Sequence, residues 1–457
     1  MSIHHSVQLN RDLCVGCTNC IKRCPTEAIR VRNGKAKIAD ERCIDCGECI
    51  RACPHHAKSA VMEPFSALDQ YTYTVALAAP SLYAQFGTPA TRMMVLAALG
   101  NAGFDDVFEV AIGAEIFSRH ASIWLHDALK KGKRPLISSA CPVVVRLIQM
   151  KYPNLIDHLL PFDAPMEISA RLAREKAREK TGLPDDQIGV FFISPCPAKR
   201  TAVANPISSD KSYVDGVIAM SEVYPLILAR LEKLENSQVE SFASRHLAGS
   251  SGVRWGYSGG EALSLNTERY LAVDGIHNVI AILEEVENER LKDIDFIEAN
   301  SCTGGCIGGP LTVANRFSGK SRQRGYILAA RDLAKKHPGA IYPAGQVHIE
   351  PWKKELEPNE ALKLDKDIFK ALQKYEQMEK ITADLPGLDC GACGAPDCEA
   401  LAEDIVRGEA SETFCIFKLK ERLRQVAAQM SELEQEMNRH LEEDEEDNIH
   451  EAGDAAQ

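Results

Sequence analysis

Cysteine spacing constrains this chain more than any other feature of its sequence. The chain has sixteen cysteines, which fall into groups of eight, four and four with none left over. A disulfide set would require an oxidising compartment, and the spacing of these cysteines decides against one. Because one cubane iron–sulfur cluster takes four thiolates, every cysteine can be assigned to one of four clusters.

The first group forms an internal repeat near the N-terminus. The spacing Cys-x-x-Cys-x-x-Cys-x-x-x-Cys-Pro occurs at residues 14–25 and again at 43–54. It resembles the repeat of bacterial ferredoxins, in which the fourth cysteine of each run serves the other cluster. The resemblance implies two electron-transfer clusters, held by Cys14, Cys17, Cys20 and Cys53 and by Cys43, Cys46, Cys49 and Cys24. A pair of zinc sites is the alternative.

The second group lies on three loops. Two apolar, strand-like runs lead into Ser-Ser-Ala-Cys-Pro, which contains Cys141, and into Pro-Cys-Pro-Ala-Lys, which contains Cys196. The third loop, within residues 297–310, places Cys302 and Cys306 four residues apart among glycines. Three loops can therefore supply the four thiolates of one cubane.

These three loops resemble the signature loops of the [FeFe]-hydrogenase catalytic domain, in the order that the family uses. The family loops read Thr-Ser-Cys-Cys-Pro, Pro-Cys-x-x-Lys and Cys-x-Gly-Gly-Cys with further glycines. The second and third match well, whereas the first departs at Ser138 and at Ala140. The glycine turn at 256–262, which opens a helix in that domain, is a further match, and the resemblance runs from about residue 70 to 330.

The resemblance implies a cofactor and the residues that hold it. Cys141, Cys196, Cys302 and Cys306 would bind the [4Fe-4S] cube of an H-cluster. Cys306 would also bridge to a two-iron subsite with CO, CN⁻ and a bridging dithiolate. Lys199 would donate hydrogen bonds to a cyanide, since an anionic ligand in a dry pocket needs a fixed cation. A solvated surface lysine is the alternative reading of Lys199.

Ala140 departs from the family in a way that affects catalysis. Catalytic members have a second cysteine there, which passes protons to the bridging amine of the subsite, and alanine cannot carry a proton. His120 and Ile123 stand where a preceding helix usually supplies carboxylates. Ser194 and Asn300 make the predicted pocket more polar than in fast enzymes. These departures predict slow turnover, with neutral drift as the alternative.

A replacement proton path has several weak candidates in the sequence. They share side chains that can hold or pass a proton near the predicted pocket, and are Glu298, Glu115, Ser139 and His120. For Glu298, a structural carboxylate that accepts hydrogen bonds is an equal alternative.

Alternating strand and helix signals from residue 73 onward predict an α/β catalytic domain of two lobes around the cluster. Strands are expected at 74–79 and at 107–112, the latter ending at Gly113, and helices at 91–100, 115–131, 164–181 and 221–234. The predicted domains are an α+β ferredoxin domain at 1–62, the catalytic domain at 70–330 and a linker at 331–383 with one helix near 366–380. They continue with a small [4Fe-4S] module at 384–418, a coiled-coil helix at 419–441 and a solvated acidic tail at 442–457.

The C-terminal module carries the last four cysteines, Cys390, Cys393, Cys398 and Cys415. Its spacing resembles a small [4Fe-4S] module of electron-transport and corrinoid-associated proteins, and zinc is again the alternative. Such a module follows the catalytic domain in the sensory branch of the hydrogenase family. The helix after it has an apolar seam with spacings of four and three, at Leu419, Leu423, Val426, Met430, Leu433 and Met437. This seam predicts a homodimer or a partner dock, and packing on the same chain is the alternative.

Composition limits the remaining possibilities. A chain of 457 residues with 45% hydrophobic residues can bury several cores. Its formal net charge of −12 argues against nucleic-acid binding. The sequence has neither an N-terminal apolar leader nor the run of roughly 18 apolar residues that a membrane helix needs. We therefore expect a cytoplasmic protein.

Together these features predict an [FeFe]-hydrogenase of the sensory branch, without a PAS domain, that reversibly oxidises H₂ or reduces protons. Besides H₂ and protons, its expected partners are a ferredoxin-like electron donor or acceptor and the maturation proteins that make the two-iron unit. Three accessory [4Fe-4S] clusters would carry the electrons. The alternatives are a metabolic hydrogenase with a replacement proton path and an iron–sulfur assembly or carrier protein without the two-iron subsite.

Overall fold

Parallel strands and the helices between them build most of this protein. The computed structural model describes residues 5–87, 89–207, 209–243 and 246–454, without the side chains of 241–243 and 440–454. Its strands are β1 (Val7–Leu9), β2 (Ile29–Arg32), β3 (Lys35–Ile38), β4 (Lys58–Ala60), β5 (Tyr73–Ala78), β6 (Asp106–Glu109), β7 (Leu136–Ile137), β8 (Ile188–Ser194), β9 (Gly216–Ala219), β10 (Tyr270–Asp274) and β11 (Phe296–Asn300). Its α-helices are α1 (Glu48–Ala52), α2 (Pro80–Tyr83), α3 (Arg92–Gly100), α4 (Val110–Lys130), α5 (Pro142–Lys151), α6 (Pro165–Thr181), α7 (Ala198–Ala204), α8 (Met220–Leu231), α9 (Asn236–Ala243), α10 (Ser250–Val253), α11 (Ile276–Glu287), α12 (Arg316–Lys336), α13 (Ile368–Asp384), α14 (Cys398–Val406) and α15 (Ile416–Asp454).

One parallel sheet has the strand order β6-β5-β8-β9. Every residue of β8 is buried, as are the last five of β5. A strand covered by helices on both faces reads as a continuous apolar run, which is why these two strands were recognisable in the sequence. The predicted α/β pattern is confirmed here.

A second parallel sheet has the order β10-β11-β7 and a core of its own. Helices α5 and α11 contribute Val144, Ile148, Val279 and Leu283 to this core, and β11 contributes Ile297. The catalytic part of the chain thus has the two α/β lobes that the sequence predicts.

The predicted strand at 107–112 is partly wrong. The strand ends at Glu109, and α4 begins at Val110 and includes Gly113. A Cβ at Gly113 would lie 2.3 Å from Ser169 Oγ and 2.4 Å from the Pro165 carbonyl oxygen on α6. Gly113 is therefore a point of close helix–helix contact, and this packing overrides the strand preference of the preceding β-branched residues.

The glycine turn at 256–262 does not open an α-helix, contrary to expectation. It continues as a single 3₁₀ turn, Ala262–Ser264. The Glu298 carboxylate accepts the amide hydrogens of Gly259 at 2.9 Å and of Ala262 at 2.8 Å. These two donors are satisfied from another strand, so the turn is stable without a longer helix.

Two predicted features near the C-terminus differ from the structure. Helix α12 runs through the predicted boundary at residue 330, and α15 continues through the predicted acidic tail to Asp454. Glutamate is a good helix former, so the acidic run extends the helix. The helix expected near 366–380 is present as α13.

The described residues divide into two compact units. The first comprises 5–15, 23–28 and 38–362 apart from the gaps named above, and the second comprises 16–22, 29–37 and 363–454. In the second unit Asp404, which is 3% exposed, pairs with Arg30 and Arg32 and thereby holds the β2–β3 hairpin against α14. No described helix is both long and apolar enough to cross a membrane.

Asp45 lies between two cysteines of the second ferredoxin run, and its carboxylate connects several segments of the first unit. Its carboxylate accepts the amide hydrogens of Ser6 at 2.8 Å and Val7 at 3.0 Å and the Thr201 hydroxyl at 2.5 Å. Arg146 Nη1 lies 3.4 Å from it. The Asp45 side chain has no exposed surface, so these donors replace water completely.

We predict that Asp45→Asn destabilises the first unit by about 1–3 kcal/mol, because the amide nitrogen that replaces one carboxylate oxygen cannot accept a hydrogen bond and leaves a buried donor unsatisfied. Thermal unfolding of the cluster-reconstituted protein measures the change. The matched control is Asp40→Asn, whose side chain is 68% exposed and pairs with His5, and which should change stability by less than about 0.5 kcal/mol. Equal shifts in the two variants would contradict the prediction.

Candidate active site

Three strands from the two sheets deliver the four loop cysteines to one cavity. β7 leads to Cys141 at the start of α5, and β8 leads to Cys196 just before α7. β11 leads to Cys302 and Cys306. Ligand sites of parallel sheets lie at the carboxyl ends of the strands, and this site follows the rule in both sheets.

The cavity measures about 880 Å³ including its open mouth. All four cysteines line it, and Cys306 is open to the cavity. Its other walls are largely apolar, with Ala79, Pro80, Val110, Ala114 and Phe192 among the lining residues. Apolar walls lower the local polarity and so strengthen the electrostatic interactions inside the cavity.

Glycines allow the third loop to close around the site. Gly305 has φ +80°, and a Cβ there would lie 2.5 Å from the Ser258 amide nitrogen. A Cβ at Gly309 would lie 2.2 Å from the Pro195 carbonyl oxygen. A side chain at Gly305 would collide with the turn at 256–262, and one at Gly309 would collide with the loop that carries Cys196, so both glycines have a steric cause.

Burial and the charges of neighbouring cysteines make Cys196, Cys302 and Cys306 poor thiolates without a bound metal. Burial, with the charges of Cys302 and Cys141, raises the pKa of Cys196 to about 12, although Lys199 opposes the shift. Burial and the other three cysteines raise the pKa of Cys306 well above its usual value. A metal cluster is the partner that stabilises four adjacent thiolates, so this donor set fits an iron–sulfur cluster.

Lys199, in the first turn of α7, lies at this cavity. Its Nζ donates to the Ala140 carbonyl oxygen at 3.0 Å, and its charge acts on Cys196 and Cys306. The ammonium is therefore part of the cavity wall, and a solvated surface position does not describe it.

The four sequence candidates for a proton path differ in position. Glu298 lines the cavity, whereas Glu115, Ser139 and His120 are not among the described residues that line it. Glu115 accepts from the Gly249 and Gly252 amides and the Ser251 hydroxyl. Ser139 donates to the Phe162 carbonyl oxygen at 3.2 Å, and His120 Nδ1 lies 2.9 Å from the Ile116 carbonyl oxygen. The hydrogen bonds of these three residues thus stabilise structure outside the cavity.

The other positions that depart from the family also have defined places. Asn300 lines the cavity and donates to Glu298 at 2.9 Å. The Ser194 hydroxyl donates to the Cys196 carbonyl oxygen at 2.8 Å and so shapes the second loop. Ile123 is 58% exposed on α4.

Glu261 is a cavity residue that the sequence analysis missed. Its Oε2 accepts the Ser138 hydroxyl at 2.6 Å, while Oε1 is buried without a hydrogen-bond partner among the described residues. Burial and the nearby Glu298 carboxylate raise the pKa of Glu261 well above its ordinary value. Burial also raises the pKa of Glu298, although the hydrogen bonds that its carboxylate accepts act in the opposite direction. A glutamate inside an otherwise small-residue turn was the signal available in the sequence.

The second ferredoxin set also comes together in the first unit. Burial raises the pKa of Cys43 and of Cys46, and the charges of Cys24 and Cys49 contribute to both shifts. Cys24 Sγ accepts the Ala28 amide hydrogen at 3.2 Å. The first set is divided between the two units, with Cys14 and Cys53 in one and Cys17 and Cys20 in the other, so its grouping stays a prediction.

The four C-terminal cysteines lie in the second unit. Cys398 begins α14, and its amide donates to Asp389 at 2.8 Å, while Cys415 precedes α15 and accepts the Leu419 amide hydrogen at 2.8 Å. Burial raises the pKa of Cys393, and Cys390 contributes. The Cys393 carbonyl oxygen accepts from Arg32 at 2.9 Å. This loop is thus tied to the ferredoxin hairpin of the same unit.

Comparison with protein families gives three matches along the chain. Residues 72–268 and 261–310 match the C-terminal domain of the iron-only hydrogenase large subunit. Residues 6–54 match a 4Fe-4S dicluster domain, and residues 385–417 match a putative Fe-S cluster family.

Two relatives with known roles align with much of this region. The chain is 27% identical over 362 residues to the periplasmic [Fe] hydrogenase large subunit of Nitratidesulfovibrio vulgaris, covering 67% of this chain and 86% of that protein. It is 26% identical over 265 residues to iron hydrogenase 1 of Clostridium pasteurianum, covering 49% of this chain and 46% of that protein. The chain thus spans less than half of the clostridial enzyme.

Among solved structures, the [FeFe]-hydrogenase HydA1 of Chlamydomonas reinhardtii aligns with 65% of this chain and 97% of its own, at 16% identity and a TM-score of 0.47. The family match alone covers more than half of the 457 residues. On that match the chain belongs to the family of iron-only hydrogenases.

Proposed function

We propose that this protein is an [FeFe]-hydrogenase that interconverts H₂ with two protons and two electrons at an H-cluster, slowly, as a sensor of H₂ or redox state. The observation that carries the proposal is the convergence of Cys141, Cys196, Cys302 and Cys306 on one apolar cavity. When bound, the H-cluster would supply the redox-active iron and the base that split H₂. The chain would supply four thiolates, exclusion of water and fixed charges.

Lys199 has the chemistry to orient an anionic ligand in the cavity. Its Nζ is held at 3.0 Å by the Ala140 carbonyl oxygen, which leaves two of its three hydrogens for other acceptors. An ammonium in a water-poor cavity forms strong charge-assisted hydrogen bonds. We therefore assign to Lys199 the cyanide-binding role that the family resemblance implies.

Proton movement at Ala140 needs another group, and Glu261 is the best placed. The hydroxyl of Ser138, two residues before Ala140, donates to it at 2.6 Å. Burial and the Glu298 charge raise the pKa of Glu261 and so favour its protonated form, and its Oε1, which has no hydrogen-bond partner among the described residues, can donate the proton. Glu298 lies beside it, so the two carboxyls can share a proton. We propose this pair as the inner end of the proton path.

The sensor version rests on three features. Ala140 lacks the usual relay, an additional cysteine module follows the catalytic domain, and a long helix follows that module. We propose that electrons pass through three accessory [4Fe-4S] clusters to a ferredoxin-like partner and that maturation proteins install the two-iron unit. A cytoplasmic location is part of this proposal.

The C-terminal helix supports a second part of the proposal, a homodimer. The six seam residues of α15 are between 40% and 63% exposed, so the seam stays accessible in the described part of the chain. Their spacing of four and three is the seam of a two-stranded coiled coil. A second copy of α15 presents the same seam, and we propose that the two helices pair.

The proposed cofactor is tested by infrared spectroscopy of the anaerobically matured protein under argon and then under H₂. We expect bands of iron-bound CO and CN⁻ that shift reversibly with H₂, because these ligands report the electron density of the iron. Protein reconstituted with iron and sulfide alone is the control and should give no such bands. Absent bands in matured protein that holds about four cubanes of iron would favour the assembly or carrier alternative.

Glu261→Gln should reduce turnover by about 10²–10⁴-fold, because an amide of the same shape cannot exchange the proton. H₂ production with a reduced electron donor is measured, and unchanged infrared bands show that the cofactor is still bound. Glu222→Gln, an exposed change on α8, is the matched control and should keep full activity. Adding Ala140→Cys to Glu261→Gln should restore part of the rate. Full activity of Glu261→Gln would remove it from the path.

Dimerisation is measured by light scattering. We expect the mass of two chains for the unaltered protein and of one chain for Leu423→Asp combined with Leu433→Asp, because paired charges in an apolar seam are unfavourable. Gln429→Asp, outside the seam on the same helix, should leave the dimer intact. A monomeric unaltered protein would exclude the homodimer.

A further inference from the structure

Arg51 connects the ferredoxin region to the active-site cysteines within the first unit. It lies on α1, between the cluster cysteines Cys49 and Cys53, and its side chain is 25% exposed. Its Nη2 donates to the Gly308 carbonyl oxygen in the third active-site loop. The same loop carries Cys302 and Cys306, so the guanidinium lies close enough to Cys302 for its positive charge to lower the pKa of that thiol.

The surrounding contacts hold this guanidinium in place. Nη1 donates to Glu48 Oε1 at 2.5 Å, one helical turn earlier on α1. Gly47, which precedes α1, packs so closely on Pro310 that a Cβ would lie 2.5 Å from its Cγ. The backbone before α1 therefore lies directly against the Pro310 ring of the third active-site loop, and Arg51 lies at this contact.

The electrostatic role of Arg51 differs from that of Lys199. Lys199 acts on Cys196 and Cys306, which are its neighbours at the cavity. Arg51 reaches Cys302 from the ferredoxin side and is the strongest charge that opposes the effect of burial there. The four-thiolate site thus has one cation on each side, and only one of them was anticipated from the sequence.

We propose that Arg51 is a positioning residue that raises the reduction potential of the active-site cubane. This inference rests on one part of the proposed function, the [4Fe-4S] cubane at the four loop cysteines. Reduction adds negative charge to a cluster, and a cation held by Gly308, in the loop that carries two of the ligands, stabilises the reduced state more than the oxidised one. Glu48, the carboxylate paired with Arg51, weakens this effect.

The test uses the full chain reconstituted with iron and sulfide. Its clusters are titrated with a reductant, and electron paramagnetic resonance monitors their reduction. No two-iron subsite is needed, so the result does not depend on hydrogenase activity. The signal of the active-site cubane is identified as the one missing from Cys196→Ala. If the unaltered protein lacks that signal, the cubane site itself is refuted, whereas absent CO and CN⁻ bands refute only the two-iron half.

Arg51→Gln should lower the midpoint potential of that signal. We expect the ratio of reduced to oxidised cluster at a fixed potential to fall about tenfold, which is about 59 mV for a one-electron couple. Arg51→Lys, which keeps the charge and loses the forked geometry, should give a smaller shift. Arg269→Gln removes an arginine that is 54% exposed and paired with Asp295, and it should cause no shift.

Glu48→Gln supplies an independent change of opposite sign. It removes the negative charge beside Arg51 and should raise the midpoint potential, a result that a purely structural contact would not produce. It also keeps the proposal testable if Arg51→Gln does not assemble the cluster. Two results would overturn the proposal. One is an unchanged midpoint potential both in Glu48→Gln and in the Arg51 variant that assembles the cluster. The other is a shift of the same sign in Glu48→Gln and in that Arg51 variant.

Discussion

The structure depends on the requirement that four mutually repelling thiols meet in one buried cavity. They come from the carboxyl ends of β7, β8 and β11, strands of two different parallel sheets. Parallel sheets covered by helices keep these ends fixed, and each lobe has its own core to hold its strands. The glycines of the third loop then allow the backbones to approach where side chains could not fit.

Charge around the site follows from the same requirement. Buried thiols resist ionisation, so cations near them favour the ligand form and the bound cluster. Lys199 supplies one cation from a helix that directly follows a ligand loop, and Arg51 supplies another from the ferredoxin region. Because these two charges come from parts of the chain that are far apart in sequence, folding of the ferredoxin region and electrostatics of the active site are coupled.

Two buried carboxyl groups line the same cavity as Ala140. Burial raises the pKa of both Glu261 and Glu298. Glu298 is occupied by backbone amides of the glycine turn, which leaves Glu261 as the carboxyl with an unused oxygen. Glu298 thus stabilises the turn, and Glu261 is the residue that we propose exchanges a proton.

The sequence by itself determined the cysteine groups, the family and the α/β lobes, because cluster ligands follow fixed local spacings and buried strands are continuously apolar. Local pattern failed at Gly113, where packing against α6 makes a helix of a predicted strand, and at the acidic run, where helix propensity prevails. The sequence did not indicate three residues of the structure, Glu261, Arg51 and Asp45, because each contacts partners that are distant along the chain. Only the tertiary structure decided where these residues lie and what they contact, because burial and charge proximity arise when separate loops are brought together.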